Sequence, residues 1–301
     1  MEIISVTPRG YCQGVVRAIR IAQDTAASYP DTPITMLGMI VHNSFVVEEC
    51  RKLGIRFVED PEKTREELLD QIDEGIVIFT AHGVSDSVRE KAERKGLRTV
   101  DASCPDVLRT HDLVRSHARN RDIIFIGKKN HPESEGTVSL SPRVHLVTDV
   151  SDIASLPDLK APLIMTQTTL SIHDIGTMID ACRKRFADAE VMSEVCNATR
   201  MRQEAVMSLK DTDLLIVVGD PRSNNSLQLK RIGQSCGIPE CLLIGSVMDL
   251  KEDILKNKNR IAVTSGSSTP NTITSQVIAF LKKYAEDGIF ALPESIDSRL
   301  L

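Results

Sequence analysis

The chain of 301 residues is long enough for two or three domains with substantial cores, and its net charge is −5 with 26% charged residues. That balance excludes a global basic field for nucleic acid, and 3% aromatics with no Trp leaves little for base-stacking platforms. No apolar run reaches membrane-span length, no basic-then-apolar leader opens the chain, and an odd seven cysteines argue against a secreted disulfide scaffold, so a cytoplasmic protein is expected. In chain order, a first predicted strand around Ile3–Val6 leads to a turn carrying Cys12 and a helix near Val15–Ala27. PITMLGMIVHNSFVVEECRKLG then reads as an apolar strand, a polar turn with His42 and a helix. A short strand at Arg56–Val58 runs into EDPEKTREELLDQI, where Pro near the start and early acids predict a helix. GIVIFTAHGVSDSVREKAERKG repeats the strand–turn–helix pattern, with His82 in the turn.

The pattern then recurs. After Cys104, RDIIFIGKKNHPESEGTVS places His131 and Glu133 just beyond a strand, and APLIMTQTTLSIHDIGTMIDACRKR places Gln167–Ser171 between a strand and a helix. After Cys196, DTDLLIVVGDPRSNNSLQLKRIG carries Ser223–Ser226 in its turn, and NRIAVTSGSSTPNTITSQVIAFLKKYA carries Ser265–Thr269. Cys12, Cys104 and Cys196 are 92 residues apart in each case, and each follows a β-type run and opens a helical one. A self-similar period sets the architecture. Three α/β units are expected, 1–103, 104–195 and 196–301, forming a trefoil about a pseudo-threefold axis. The stretch Leu292–Leu301 has no periodicity and reads as a tail.

Alternating strands and helices with uniformly apolar strands predict parallel sheets covered on both faces. Ligands in such sheets sit beyond the carboxyl ends of the strands, where the three cysteines and all the polar turns fall. Three converging thiols without a Cys-x-x-Cys pair suit a cluster better than a zinc site. A cubane cluster normally takes four cysteines, so three leave one iron open to substrate. His42, His82, His131, Ser223, Asn225 and Ser268, all before helices, together make an anion rim suited to phosphate. Glu133, the carboxylate that shares a strand-end turn with a histidine, is a candidate proton donor. Cys50, Cys182, Cys236 and Cys241 read as core packing, and His111, His117, His145 and His173 as surface.

The motifs YCQGVVRAI, VHNSFVV, AHGVSDSVRE, VDASCP, HPESEGT, TQTTLS, CNATRMRQEAV and SGSSTP, in this order over about residues 1–285, resemble the 4-hydroxy-3-methylbut-2-enyl diphosphate reductase family. The resemblance implies a 4Fe–4S cluster held by Cys12, Cys104 and Cys196. It implies reductive loss of an allylic hydroxyl, giving isopentenyl and dimethylallyl diphosphate at the last step of the non-mevalonate isoprenoid route. By matching motif, His42, His82, His131, Ser223, Asn225 and Ser268 bind the diphosphate, Glu133 delivers the proton, and Thr168 holds the substrate hydroxyl and Glu133. Many members carry Ser-Ser-Asn where this chain reads Ser223-Asn224-Asn225, so Asn224 joins the binding set as an amide that can donate to phosphate. Asp220 just upstream is expected to point outward, away from a diphosphate. An external electron donor such as a ferredoxin or flavodoxin is implied, and no segment reads as a flavin or nicotinamide site. The competing readings are a cluster-dependent dehydratase or synthase such as quinolinate synthase, and an iron–sulfur sensor or carrier with no diphosphate rim.

Overall fold

Short, predominantly apolar runs become the central strands of three four-stranded parallel sheets. The structure is a computed structural model describing residues 1–192 and 195–301. The chain opens with β1 (Glu2–Ser5) and α1 (Gln13–Ser28). The next elements are β2 (Ile34–Leu37), α2 (Ser44–Lys52), β3 (Ile55–Val58), α3 (Arg65–Leu68), β4 (Ile76–Phe79), α4 (Asp86–Arg94) and β5 (Arg98–Asp101). They are followed by α5 (Pro105–His117), β6 (Ile123–Ile126), α6 (Pro132–Val138), β7 (Val144–Val147), α7 (Val150–Ser155), β8 (Leu163–Thr166), α8 (Ile172–Arg185) and β9 (Glu190–Val191). The last third holds α9 (Asn197–Met207), β10 (Leu214–Val218), α10 (Asn224–Ser235), β11 (Glu240–Ile244), α11 (Glu252–Leu255), β12 (Arg260–Ser265) and α12 (Asn271–Asp287).

The sheet orders are β3-β2-β4-β5, β7-β6-β8-β9 and β1-β12-β10-β11, all parallel. The six inner strands are the buried runs: β2, β4, β6, β8 and β10 are buried at every residue, and β12 at every residue after Arg260. The edges, such as RTVD of β5, are half exposed. Both faces of an inner strand are apolar because each serves a different core. Ile124 and Ile126 pack on one side of their sheet with Ile164 and Ile175, while Ile123 and Phe125 pack on the other with Leu163 and Met165. Each fully buried side chain of this kind contributes roughly 1.5–3 kcal/mol.

Two compact units result. One consists of Met1–Val16, Val41–Glu49 and Asn197–Leu301, and contains the β1-β12-β10-β11 sheet. The other consists of Arg17–Ile40 and Cys50–Cys196, and contains the other two sheets. The sheets do not follow the stretches 1–103, 104–195 and 196–301 drawn from the sequence. β1 pairs with β12, Ile3 opposite Ile261, so the chain's first strand completes the sheet of its last third. In each sheet the strand that leads to a cysteine therefore lies at an edge.

Three local expectations change. The helix in EDPEKTREELLDQI starts after Thr64, not at Pro61, because Thr64 and Glu67 form a reciprocal capping box. The 292–301 stretch has no regular structure but is tied down: Thr272 and Gln276 of α12 donate to the carbonyls of Asp297 and Ser295, and Leu292 and Ile296 pack against the core of that unit. In the AEVMSEVC run, Glu190–Val191 are the strand residues among those described, and Ser193 and Glu194 lie outside the described residues.

Candidate functional site

The three predicted cysteine ligands occupy equivalent backbone positions. Each follows an edge strand, and each amide donates to the turn beyond the neighbouring inner strand: Cys12 to the Ser267 carbonyl at 3.2 Å, Cys104 to Ala81 at 2.9 Å and Cys196 to Thr168 at 3.2 Å. All three are half-buried thiols. A helix starts at or just beyond each: Cys104 is the N-cap of α5, with Pro105 at the first helical position. The donor set, soft sulfur at three like positions, fits an iron–sulfur cluster. Cys50, Cys182 and Cys241 are buried as expected, and burial pushes the Cys182 thiol up to about 11. Cys236 is instead exposed, because it caps the solvent end of α10.

In the two-sheet unit, the turns after β4, β6 and β8 carry His82, His131, Glu133 and Thr168. The His82 and His131 rings meet edge to face with centroids 5.5 Å apart. His131 caps α6: its Nδ1 accepts the Glu133 amide at 3.2 Å, which in the neutral ring puts the proton on Nε2 as a donor for an anion. Pro132, at the first helical position, presets the backbone there. Glu133 is only 2% exposed, and its two oxygens accept the Thr168 amide at 2.7 Å and the Thr168 hydroxyl at 3.0 Å. Burial pushes its carboxyl up to about 7. The Thr168 bonds oppose that rise, and the Asp106 carboxylate adds to it. Gln167 joins two of these turns by accepting the Lys128 amide at 2.9 Å and the Ser134 hydroxyl at 3.2 Å. A buried acid that keeps its proton near neutrality can act as a general acid.

In the other unit, His42, Ser223, Asn225 and Ser268 come together. Ser268 donates to the His42 carbonyl at 3.2 Å and lies 3.4 Å from the Ser223 hydroxyl oxygen. Asn225 Oδ1 accepts the Ser267 amide at 3.1 Å, and its Nδ2 donates to Thr199 at 3.4 Å. Asn224 is buried in the first turn of α10. Gly219 and Gly266 are required at the ends of β10 and β12: a Cβ at either would come within 2.2 Å and 2.0 Å of the Ser226 hydroxyl oxygen.

Asp220 does not point outward. It is 5% exposed, and its carboxylate accepts the Ser44 amide at 2.9 Å together with the Arg222 amide and guanidinium. Although burial opposes it, these donors hold the carboxyl down at about 2. With Asn43 Oδ1 accepting the Phe45 and Val46 amides, the first turn of α2 is capped by side chains. The same holds for α4, α6, α8 and α10, capped by Ser85, His131, Ser171 and Ser223. These turns thus offer side chains rather than open helix amides, whereas α5 and α12 start without a side-chain cap.

Sequence reasoning missed one more buried polar group. His111 was expected at the surface but is fully buried in α5, and neither ring nitrogen finds a hydrogen-bond partner among the described residues. Burial, then Arg115 and Arg89, lower its pKa to about 4, so the ring is neutral. It packs under the His82 turn: a Cβ on Gly83, whose φ is +77°, would lie 3.2 Å from its ring. The signal was present, since Val107, His111 and Val114 follow helical spacing on the buried face of α5. His145 is half-buried and shares a hydrogen bond with Asp122 at 2.9 Å, His117 is half-buried and His173 is exposed.

Three kinds of likeness bear on this arrangement. A protein-family profile described as "LytB protein" matches residues 3–282. A "4-hydroxy-3-methylbut-2-enyl diphosphate reductase" from Brevibacillus brevis is 47% identical over 291 residues, covering 95% of this chain and 93% of that protein. A protein of the same name from Bacillus thuringiensis is 46% identical, covering 94% and 91%. The solved E-1-hydroxy-2-methyl-but-2-enyl-4-diphosphate reductase from Plasmodium falciparum superposes with a TM-score of 0.87 at 34% identity, over 98% of this chain and 92% of that one. A second solved structure, described as the terminal enzyme of the non-mevalonate pathway, gives 0.66 at 27% identity, over 94% and 100%. The chain belongs to the LytB family of 4-hydroxy-3-methylbut-2-enyl diphosphate reductases.

Proposed function

We propose that the chain carries out the reaction its family is named for: reductive removal of the allylic hydroxyl of 4-hydroxy-3-methylbut-2-enyl diphosphate. Two electrons and two protons enter, water leaves, and isopentenyl and dimethylallyl diphosphate form. The observation that carries this reading is Glu133, a buried carboxyl held near pKa 7 and fixed by two bonds from Thr168. A neutral allylic alcohol loses hydroxide poorly, so an acid must protonate the oxygen as the C–O bond breaks.

Cys12, Cys104 and Cys196 hold a 4Fe–4S cluster in this reading, supported by their equivalent backbone positions and half-buried thiols. When bound, such a cluster supplies the electrons and an open iron that polarises the leaving oxygen. His42, His82, His131, Ser223, Asn224, Asn225 and Ser268 bind the diphosphate through ring N–H, hydroxyl and amide donors. Binding energy from that remote group orients the hydroxyl toward Glu133 and Thr168. The electrons come from an external carrier such as a ferredoxin or flavodoxin. In this reading the work is cytoplasmic, on a diffusible substrate; among the described residues no helix is long and apolar enough to cross a membrane.

The test is anaerobic isolation, iron counting and single-turnover reduction of the allylic diphosphate with a chemical electron donor. About four irons per chain and formation of both diphosphate products are expected. A cluster-loaded protein that leaves the substrate unchanged would overturn the reading.

A further inference from the structure

Asp220 poses a problem for a diphosphate rim. It is a buried carboxylate in the turn that also carries Ser223, Asn224 and Asn225, where a bare negative charge would repel the ligand. Its surroundings resolve the conflict. One oxygen accepts the Ser44 amide across 176 residues of sequence, the first amide of α2 and two positions after His42. The same oxygen takes an Arg222 N–H at 2.8 Å, while the other takes the Arg222 amide at 2.9 Å and Nε at 3.0 Å. The Asp220 carbonyl also accepts the Ser223 amide at 2.9 Å. The carboxylate is 4% exposed and the guanidinium 54%, so the negative member is inside and the positive one faces solvent.

We propose that the Asp220–Arg222 pair is a charge-compensated positioning lock for the diphosphate rim. Asp220 ties the His42 turn to the β10–α10 turn before any ligand arrives, and Arg222 cancels its charge so that the rim still attracts an anion. A phosphate oxygen is the natural partner for an open helix-terminal amide. An internal carboxylate on the Ser44 amide fills that place permanently and orders the turn in advance. Pre-ordering removes part of the cost of binding. His42 and Ser268 then meet the ligand from a turn that is already held in place, since Ser268 itself rests on the His42 carbonyl.

The inference rests on the rim assignment above, and the experiment separates the two. Inhibition of the cluster-loaded enzyme by inorganic diphosphate is measured alongside substrate KM and kcat for wild type, Arg222→Ala, Arg222→Lys and the double variant Asp220→Ala/Arg222→Ala. Arg222→Ala leaves Asp220 uncompensated and raises the inhibition constant on the order of thirtyfold at low salt, a defect that shrinks as salt is raised. The double variant removes both charges and loses only the tie, so its constant rises about fivefold and is nearly independent of salt. Arg222→Lys restores the charge and stays near wild type. In each defective variant KM rises more than kcat falls, and the cluster's absorption is retained. If Arg222→Ala binds diphosphate no worse than the double variant, compensation is wrong. If the double variant equals wild type, the tie is wrong. Wild-type enzyme indifferent to inorganic diphosphate would instead remove the rim assignment beneath both.

Discussion

Two buried carboxylates, Glu133 in the two-sheet unit and Asp220 in the other, stand in strand-end turns of the same kind and have opposite electrical fates. Glu133 is 2% exposed and Asp220 5%, so solvent exposure barely separates them, although Glu133 lies deeper and burial dominates its pKa. The donor set separates them further. Glu133 has two neutral donors from Thr168 and a nearby like charge at Asp106, and its carboxyl rises to about 7. Asp220 has a guanidinium and two backbone amides, and its carboxyl falls to about 2. The first can surrender a proton in the neutral range, whereas the second is a permanent charge fit only for holding structure.

The largest expected effect checks that the proton has a cluster to serve. Cys104→Ser, made anaerobically, should lose most of its iron and nearly all turnover, while Cys236→Ser, at an exposed helix end, should keep both. Iron counting and the visible spectrum decide it, and a full wild-type-like cluster in Cys104→Ser would remove the shared role of the three thiols.

Glu133→Gln comes next, because it keeps the shape but cannot release a proton. Single-turnover reduction should slow by at least about two orders of magnitude, with cluster content and diphosphate binding preserved. In wild type the same step should slow as pH rises through about 7, as the acid loses its proton. A pH-independent rate across that range would deny Glu133 the role.

Alanine at His82 should weaken inorganic diphosphate inhibition by about tenfold, the loss of one charge-assisted hydrogen bond, without changing the cluster's spectrum. Unaltered inhibition would take His82 off the rim.

Effects on stability complete the comparison, and they have opposite signs. Glu133 has a folded pKa raised from 4.5 to about 7, so its stabilising contribution is full below about 4.5 and is lost as pH rises through about 7, on the order of 3 kcal/mol. Asp220 has a folded pKa lowered from 3.8 to about 2, so its contribution is full above about 3.8 and is lost as pH falls through about 2. Denaturant midpoints of Glu133→Gln should therefore lose the decline between pH 4.5 and 7 that wild type shows, and those of Asp220→Asn should lose part of the acid-side decline. Parallel pH profiles for the two variants would mean that the two carboxylates do not differ as their surroundings imply.

Much of this was legible in the residues themselves. Uniformly apolar runs such as IVIF and LLIVV identified inner strands of parallel sheets, because side chains alternating across a doubly covered sheet must be apolar on both faces. The polar turns behind them, and the equal spacing of Cys12, Cys104 and Cys196, marked the strand ends where ligands gather. Periodicity also held the clue to buried His111, since its helical spacing with Val107 and Val114 outranks the polarity of an imidazole.

Local pattern cannot determine pairing between distant strands or the partner of a buried charge. β1 joins β12 although some 250 residues separate them, because an edge strand is chosen by which sheet has an unfilled edge rather than by proximity in sequence. Asp220 turned inward because the Ser44 amide, 176 residues away, and Arg222 were waiting for it. Glu133 acquired its proton affinity from the walls around it. Sequence determined the strands, the turns and the residue types at their ends; desolvation and long-range hydrogen bonds, which exist only once the chain has folded, decided which of those groups became acid and which became anchor.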